Sequence, residues 1–113
     1  MRVRLGGEAL RGHLDLLVLS VLRDTEAHGY RVIELLRESS GGAFDLPEGT
    51  VYPALHQMER AGLLTATWRE SETGRRRKYY SLTAKGRRQA ASKRRQWVSI
   101  STAMRTILGH GRA

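Results

Sequence analysis

Four consecutive cations, Arg75, Arg76, Arg77 and Lys78, follow directly after the turn residue Gly74. Flexible guanidinium and ammonium groups beside a turn can neutralise phosphates or enter the minor groove of a duplex. Such a run can also protect an edge strand from pairing with other chains. Four cations in a row exceed what edge protection needs, so the pattern favours contact with a nucleic acid.

A second set of polar side chains falls within a helix predicted over residues 47–61. At about 100° per residue, Val51, Leu55 and Met58 share its inner side. The outer side offers hydroxyl, imidazole and guanidinium groups, and a glycine lets the helix N-terminus approach a phosphate closely. We predict nucleic-acid contacts from Gly49, Thr50, Tyr52, His56 and Arg60. The alternative is an ordinary solvated face with Tyr52 folded back onto the core.

Positive charge is concentrated in the second part of the chain. Residues 73–113 hold twelve Lys or Arg and no acid, whereas residues 1–72 hold eight Lys or Arg and eleven acids. The formal net charge of +9 therefore divides into about −3 and about +12. This asymmetry indicates a polyanionic partner, because each neutralised phosphate releases condensed counterions.

Composition limits the remaining function classes. A chain of 113 residues with 40% hydrophobic side chains can close one modest core. It has no cysteine, so disulfides, thiolate metal sites and thiol nucleophiles are excluded. Its four histidines are not spaced as metal ligands, and no phosphate-binding glycine loop follows a strand. We expect no enzyme activity, no cofactor and no metal. Without a membrane span or signal peptide, the expected location is cytoplasmic, with no membrane partner.

Two further helices are predicted before the outer-face helix. Apolar residues lie almost all round the first, over about residues 10–23, which indicates burial on most sides. A polar turn leads to the second, over residues 30–39, with Tyr30, Ile33 and Leu36 as its inner stripe.

The third helix is bounded by Asp45, which is available as an N-terminal cap, and by Gly62, which can take the left-handed position after its end. After Gly62 the period of the apolar residues changes from 3.6 to 2, over residues 64–69 and again over residues 75–82. A polar turn separates these two strands, so the sequence predicts a β-hairpin.

Thr83 can cap a last helix that runs nearly to the end of the chain. Its apolar stripe is spaced for packing against another helix. The stripe includes Ala90, Trp97, Ile100, Ser101, Met104, Ile107 and Leu108. So short a chain has nothing left to cover it, which predicts a homodimer. Six cations precede Trp97, and two such helices repel each other unless these cations point outward, meet Glu8 or Asp15, or lie near DNA.

Three helices followed by a hairpin form the order of a winged helix-turn-helix, an α+β, mostly α fold. In that fold the third helix enters the major groove and the hairpin tip rests on neighbouring backbone. We expect a DNA-binding domain over residues 1–82 and a dimerisation helix over residues 83–113. An RNA-binding winged helix and a protein-interaction module using the last helix remain alternatives.

Five short motifs follow one another along the chain: Leu10-Arg11-Gly12, His28-Gly29-Tyr30, Gly49 to Leu55, Gly74 to Tyr80, and Leu82 to Gly86. In this order and spacing they resemble the PadR family of bacterial transcriptional regulators, over nearly the whole chain. The resemblance implies a winged-helix repressor of the short branch, dimerised through its last helix on a pseudo-palindromic operator of double-stranded DNA. The family's recognition-helix contacts carry over to Thr50, Tyr52 and His56, and its wing contacts to residues 75–78.

The resemblance also bears on Trp97. In some drug-sensing members, a tryptophan eleven residues after the glycine that follows the wing stacks on planar ligands between the subunits. Gly86 and Trp97 have that spacing, which implies a site for a small aromatic effector. The many cations nearby favour dimer-core packing for Trp97 over a hydrophobic drug pore. Both roles stay open for the set Trp97, Ile100, Ser101, Met104 and Leu108.

Overall fold

The computed structural model describes residues 10 and 12–109, and its elements follow the predicted order with one short strand added. They are α1 (Leu14–Val21), β1 (Ala27–His28), α2 (Gly29–Ser39), α3 (Glu48–Arg60), β2 (Leu64–Glu70), β3 (Arg76–Leu82) and α4 (Ala84–Leu108). Helices with a small antiparallel sheet confirm the predicted winged helix-turn-helix. Glu8 and Arg11, which the sequence predictions used, lie outside the described residues.

One hydrophobic core joins the first three helices to the sheet. Val51, Leu55 and Met58 on the inner side of α3 are buried, with exposed fractions of 0%, 0% and 2%. This confirms the predicted inner side of the third helix. Tyr80 and Leu82 close the core from the sheet. The outer face of α3 is therefore fixed relative to the rest of the domain.

The inner stripe of α2 differs from the prediction at one residue. Gly29, Val32, Ile33 and Leu36 are buried, whereas the side chain of Tyr30 is 46% exposed. The buried set follows the spacing i, i+3, i+4 and i+7, and Tyr30 lies about 100° away from Gly29 around the helix. The predicted Ile33 and Leu36 are buried, but the prediction for Tyr30 was wrong because the stripe continues toward the N-terminus through Val32 and Gly29.

The sheet has the strand order β1-β3-β2, and all its pairs are antiparallel. Leu64 pairs with Leu82 in the hairpin, and Ala27 pairs with Tyr80 on the other side of β3. Residues 24–29 were predicted as a turn, so β1 was missed, since two residues are too few to show a period. β1 makes β3 the central strand of the sheet. Its pairing with β3 bonds the hairpin of β2 and β3, called the wing below, to the start of α2.

The C-terminal end of α3 has the predicted left-handed glycine, whereas its N-terminal end lacks the predicted cap. Gly62 has φ of 80°, and the amide of Leu63 donates to the carbonyl of Met58 at 2.9 Å, as in a Schellman ending. The predicted Asp45 cap is wrong, because Pro47 occupies the N-cap position without a side-chain hydrogen bond. The Asp45 carboxylate lies 3.8 Å from the Arg37 guanidinium.

The last helix, α4, begins as predicted. The hydroxyl of Thr83 accepts a hydrogen bond from the amide of Gly86 at 3.0 Å. The side chains of Met104, Ile107 and Leu108 are 55%, 82% and 78% exposed near the far end of the helix. Across residues 10 and 12–109, the structure contains no helix with the length and hydropathy of a membrane span.

Candidate nucleic-acid interface

The outer face of α3 presents polar groups to solvent. Gly49, His56 and Arg60 are exposed, and Thr50 is half-buried beside the first turn. The amide of Thr50 donates to the carbonyl of Pro47 at 3.0 Å, which closes that turn. The imidazole of His56 and the guanidinium of Arg60 are thus available for base edges or phosphates.

Tyr52 is half-buried. Its ring packs back onto the core, and its partial exposure also leaves it able to contact a nucleic acid. Its ring lies against Gly29 at the start of α2, and a Cβ added to Gly29 would be 2.8 Å from the ring atom Cδ1. Burial raises the pKa of the Tyr52 phenol, and the negative charge of Glu48 adds to this effect. The phenol therefore stays protonated on a ring that α2 holds in place.

The hairpin tip presents three of the four predicted wing cations without an ion pair to any described acid. Gly74 has φ of 85°, and the amide of Ser71 donates to the carbonyl of Arg75 at 2.7 Å. Arg75 and Arg76 are exposed, and Arg77 is half-buried. In the part of the chain that the structure describes, no acidic side chain forms an ion pair with these three arginines.

Lys78 differs from its neighbours in the wing. Its ammonium nitrogen Nζ lies 2.8 Å from Oε1 of Glu59 on α3 and 5.4 Å from the centroid of the Tyr80 ring. The hydrogen bond to Glu59 raises the pKa of Lys78. The sequence gives no sign of this pair, because nothing in the pattern connects residues nineteen positions apart. The predicted DNA contact of Lys78 stays a prediction.

A groove of about 310 Å³ lies between the outer face of α3 and the wing. Tyr52 and His56 line it from α3, whereas Trp68, Arg77 and Lys78 line it from the wing. Trp68 is 57% exposed, and its sequence pattern predicted only a place in the alternation of β2. The wing extends past the core at this point, so the indole faces the groove. Its position next to the turn was the one sequence signal for this role.

The other face of the wing is attached to the start of α2 through side chains. Arg69 forms an ion pair with Glu26 and lies 3.9 Å from the centroid of the Tyr79 ring. His28 meets the same ring edge-on, with centroids 5.4 Å apart, and its Nδ1 accepts from the amide of Arg31 at 3.2 Å. No three His, Asp or Glu side chains within residues 10 and 12–109 form a candidate metal site.

The predicted stripe of α4 is exposed from Trp97 onward. Ile100, Met104 and Leu108 are exposed, and Ser101 is half-buried. Trp97 meets the His13 ring edge-on, with centroids 5.4 Å apart. It also borders a groove of about 480 Å³ whose apolar lining includes Leu10, Leu16, Leu17 and Phe44. The two roles considered for Trp97 are both compatible with this position.

The cations of α4 are not neutralised by acids in the described part of the chain. Lys85 donates to the carbonyl of Ala61 at 2.9 Å, and Arg87 donates to the carbonyl of Arg23 at 3.1 Å. No described acid, Asp15 included, forms an ion pair with a cation of this helix. The suggested partner Glu8 lies outside the described residues.

Comparison with known proteins places this arrangement in a known group. The model of the "Transcriptional regulator PadR-like family" matches residues 18–92. The transcriptional regulator Rv3488 of Mycobacterium tuberculosis is 33% identical over 102 residues, which are 90% of this chain and 89% of that protein.

Solved structures give the same result. A PadR family transcription regulator of Clostridium difficile superposes with a TM-score of 0.76 at 35% identity, over 86% of this chain and 99% of that one. Bacillus subtilis PadR, solved in complex with operator DNA, superposes with a TM-score of 0.64 at 25% identity, over 72% of this chain and 46% of that one. The family model covers more than half of the sequence. The chain therefore belongs to the PadR-like family of transcriptional regulators.

Proposed function

We propose that the chain is a transcriptional repressor that binds a pseudo-palindromic DNA operator as a homodimer. The observation that carries this proposal is the groove between α3 and the wing. It is bordered by the exposed His56 and Trp68, and no described acid pairs with Arg75, Arg76 or Arg77 in the wing beside it. The operator complex of Bacillus subtilis PadR supports a duplex as the partner.

In this proposal α3 lies in the major groove, with Gly49, Thr50, Tyr52, His56 and Arg60 at the duplex. The wing arginines contact neighbouring phosphates or the minor groove. Lys78 contributes positive charge beside them while it remains paired with Glu59.

The dimer contact in this proposal is the exposed stripe of α4. Trp97, Ile100, Met104 and Leu108 present apolar surface that the described part of the chain leaves to solvent. A second copy related by a two-fold axis would cover it and place the two α3 helices about 34 Å apart, in successive major grooves. Residues 1–82 would then be the DNA-binding domain and residues 83–113 the dimerisation helix.

The groove beside Trp97 supports an effector site as a further part of the proposal. Its volume of about 480 Å³ falls within the usual range for small ligands, and Phe44 and Leu17 provide an apolar lining. A small aromatic compound bound there would release DNA if it favoured a different spacing of the two heads. Quenching of Trp97 fluorescence by planar aromatics, compared with a Trp97→Phe variant, tests this site.

The experiment for DNA binding is footprinting of the purified protein on its own upstream region, followed by fluorescence anisotropy on the protected duplex. His56→Ala should relax base preference at one position of each half-site, by about 1–3 kcal/mol. Arg76→Ala should weaken binding to all duplexes and lower the slope of log affinity against log salt by about 1. Arg105→Ala removes the same charge from the far end of α4 and serves as the control.

The alternatives predict different outcomes. An RNA-binding winged helix would prefer structured RNA over every duplex. A protein-interaction module would keep its main partner when His56 and Arg76 are both replaced by alanine. A wild-type protein with no preference among duplex sequences would contradict the proposal.

A further inference from the structure

The end of α3 and the start of α4 form one rigid joint. The carbonyls of Ala61, Gly62 and Leu63 follow the last turn of α3, where helix carbonyls lack intrahelical donors. In this chain they are met by the first residues of α4 instead of by water alone. The helix proposed to read DNA is thus bonded directly to the helix proposed to dimerise.

Four hydrogen-bond contacts make the joint, one of which joins the hydroxyl of Thr83 to the carbonyl of Leu63 at 3.1 Å. The hydroxyl of Thr83 donates to the carbonyl of Gly62 at 2.6 Å, and its amide donates to the carbonyl of Leu63 at 3.1 Å. The ammonium group of Lys85 donates to the carbonyl of Ala61 at 2.9 Å. The same Thr83 hydroxyl accepts from the amide of Gly86, so it caps α4 while it holds the end of α3.

Gly86 allows the two elements to touch through their backbones. A Cβ added to Gly86 would lie 3.1 Å from the carbonyl carbon of Leu63 and closer still to its oxygen. Neither backbone can yield as a flexible side chain would, so any larger residue must tilt α4 away from α3. Arg87 adds a second attachment, from α4 to the carbonyl of Arg23 at the end of α1.

A small tilt at this joint has a large effect at the dimer contact. Gly86 and Met104 are eighteen residues apart on α4, or about 27 Å at a rise of 1.5 Å per residue. A rotation of about 10° at the joint therefore moves one head by about 5 Å relative to the dimer contact, which exceeds the rise of about 3.4 Å along the duplex axis per base pair.

We infer that Thr83, Lys85 and Gly86 are positioning residues for DNA recognition, which set the distance between the two recognition helices and hence the half-site spacing that the dimer accepts. The inference rests on the proposed function of a two-headed dimer. It assigns no direct DNA contact to these residues, since they act through the angle between α3 and α4.

The test uses the full chain and a set of duplexes in which the two half-sites found by footprinting are separated by spacers of different length. Wild-type protein should bind one spacing best. Lys85→Met should lower affinity at that spacing by about threefold to tenfold and flatten the preference among spacings. Gly86→Ala should move the optimum to another spacing. Affinity for a single half-site and the dimer state should stay at wild-type values in both variants.

Two further variants separate positioning from charge. Lys85→Arg keeps a side-chain donor for the carbonyl of Ala61, so it should keep the wild-type preference among half-site spacings. Arg88→Met removes one charge from an exposed position of the same helix and should leave the preference unchanged. Lys85 is itself exposed, so Lys85→Met carries the test even if Gly86→Ala fails to fold.

The outcomes distinguish this inference from the proposed function. A spacing-selective wild type whose preference survives Lys85→Met, and also Gly86→Ala where that variant folds, would overturn the inference alone. A wild type that binds no duplex selectively would overturn both.

Discussion

The apolar side chains of α3 and those of the second half of α4 differ in what covers them. Val51 and Leu55 are completely buried among the helices and the sheet, whereas Ile107 and Leu108 are 82% and 78% exposed. Both helices carry an apolar stripe at helical spacing, so periodicity alone does not separate them. Within the described residues the first stripe is fully covered, whereas the second is left open, as expected of a surface that contacts another molecule.

The strongest test of this comparison removes the same side chain from each region. Leu55→Ala should lower the free energy of unfolding by about 2–5 kcal/mol at any protein concentration, because it leaves a cavity in a closed core. Leu108→Ala should have an effect that decreases on dilution, because the proposed dimer contact buries this residue only while two copies are associated. Urea unfolding at two protein concentrations measures both. An equal and concentration-independent loss at Leu108 would contradict the comparison.

The next test charges two positions of α4 that are equally exposed. Met104 and Val98 are 55% and 56% exposed but lie about 120° apart around the helix. Met104→Glu should raise the dimer Kd more than roughly 100-fold, about 3 kcal/mol, because an unpaired carboxylate would be buried in the contact. Val98→Glu is the matched control and should remain a dimer. Sedimentation at micromolar concentration measures the dimer state of both variants. If both variants remained dimers, the stripe assigned to the dimer contact would be wrong.

A third test measures how closely α2 and α3 pack against each other in the buried core. Gly29→Ala should lower the free energy of unfolding by about 1–3 kcal/mol, because its methyl group would overlap the Tyr52 ring. Tyr52→Ala should remove most of this penalty, which a double-mutant cycle measured by urea unfolding detects. Purely additive losses would mean that the two residues do not press on each other.

The smallest expected effect concerns pH. Burial lowers the pKa of His28 and the charge of Arg77 lowers it further, with a smaller contribution from Arg31, while Glu34 opposes the change. The unfolded chain then binds the proton more readily than the folded chain. The contribution of His28 to the free energy of unfolding should therefore be fully present above about pH 6.5, and it should be lost as the pH falls through the lowered pKa of His28 in the folded protein. The loss should be about 1 kcal/mol, since protonation also removes the acceptor that caps α2.

His28→Asn keeps a capping acceptor that does not titrate. Its free energy of unfolding should therefore change less than that of the wild type between pH 7 and pH 5. Equal pH dependence in the two proteins would assign the effect to other groups.

Much of the fold followed from the sequence because its signals are local. The stripe of Val51, Leu55 and Met58, the left-handed Gly62 and the Thr83 cap each depend on neighbours within a few positions. Membership in a family of transcriptional regulators also confirms that the chain is not an enzyme. Tyr30 was misplaced because Ile33 and Leu36 alone do not fix the centre of the stripe, and the small Gly29 was not recognised as a buried member of it.

Less of the candidate site could be predicted from the sequence, because its decisive contacts join residues that are far apart along the chain. The pairing of Lys78 with Glu59, the exposure of Trp68 and the approach of Gly86 to Leu63 all depend on how separate elements pack. Composition located the charge of the wing correctly, yet it could not show which cation is bound internally.

The ion pair between Lys78 and Glu59 has a consequence for engineering new operator preferences. Glu59 comes from α3 and its neutralising cation from β3, so the two segments are an inseparable pair for grafting. Transplanting residues 48–60 alone into a scaffold without that lysine would leave a bare carboxylate beside the duplex, where it would repel the sugar-phosphate chain. A graft that carries both segments should retain affinity for its original target.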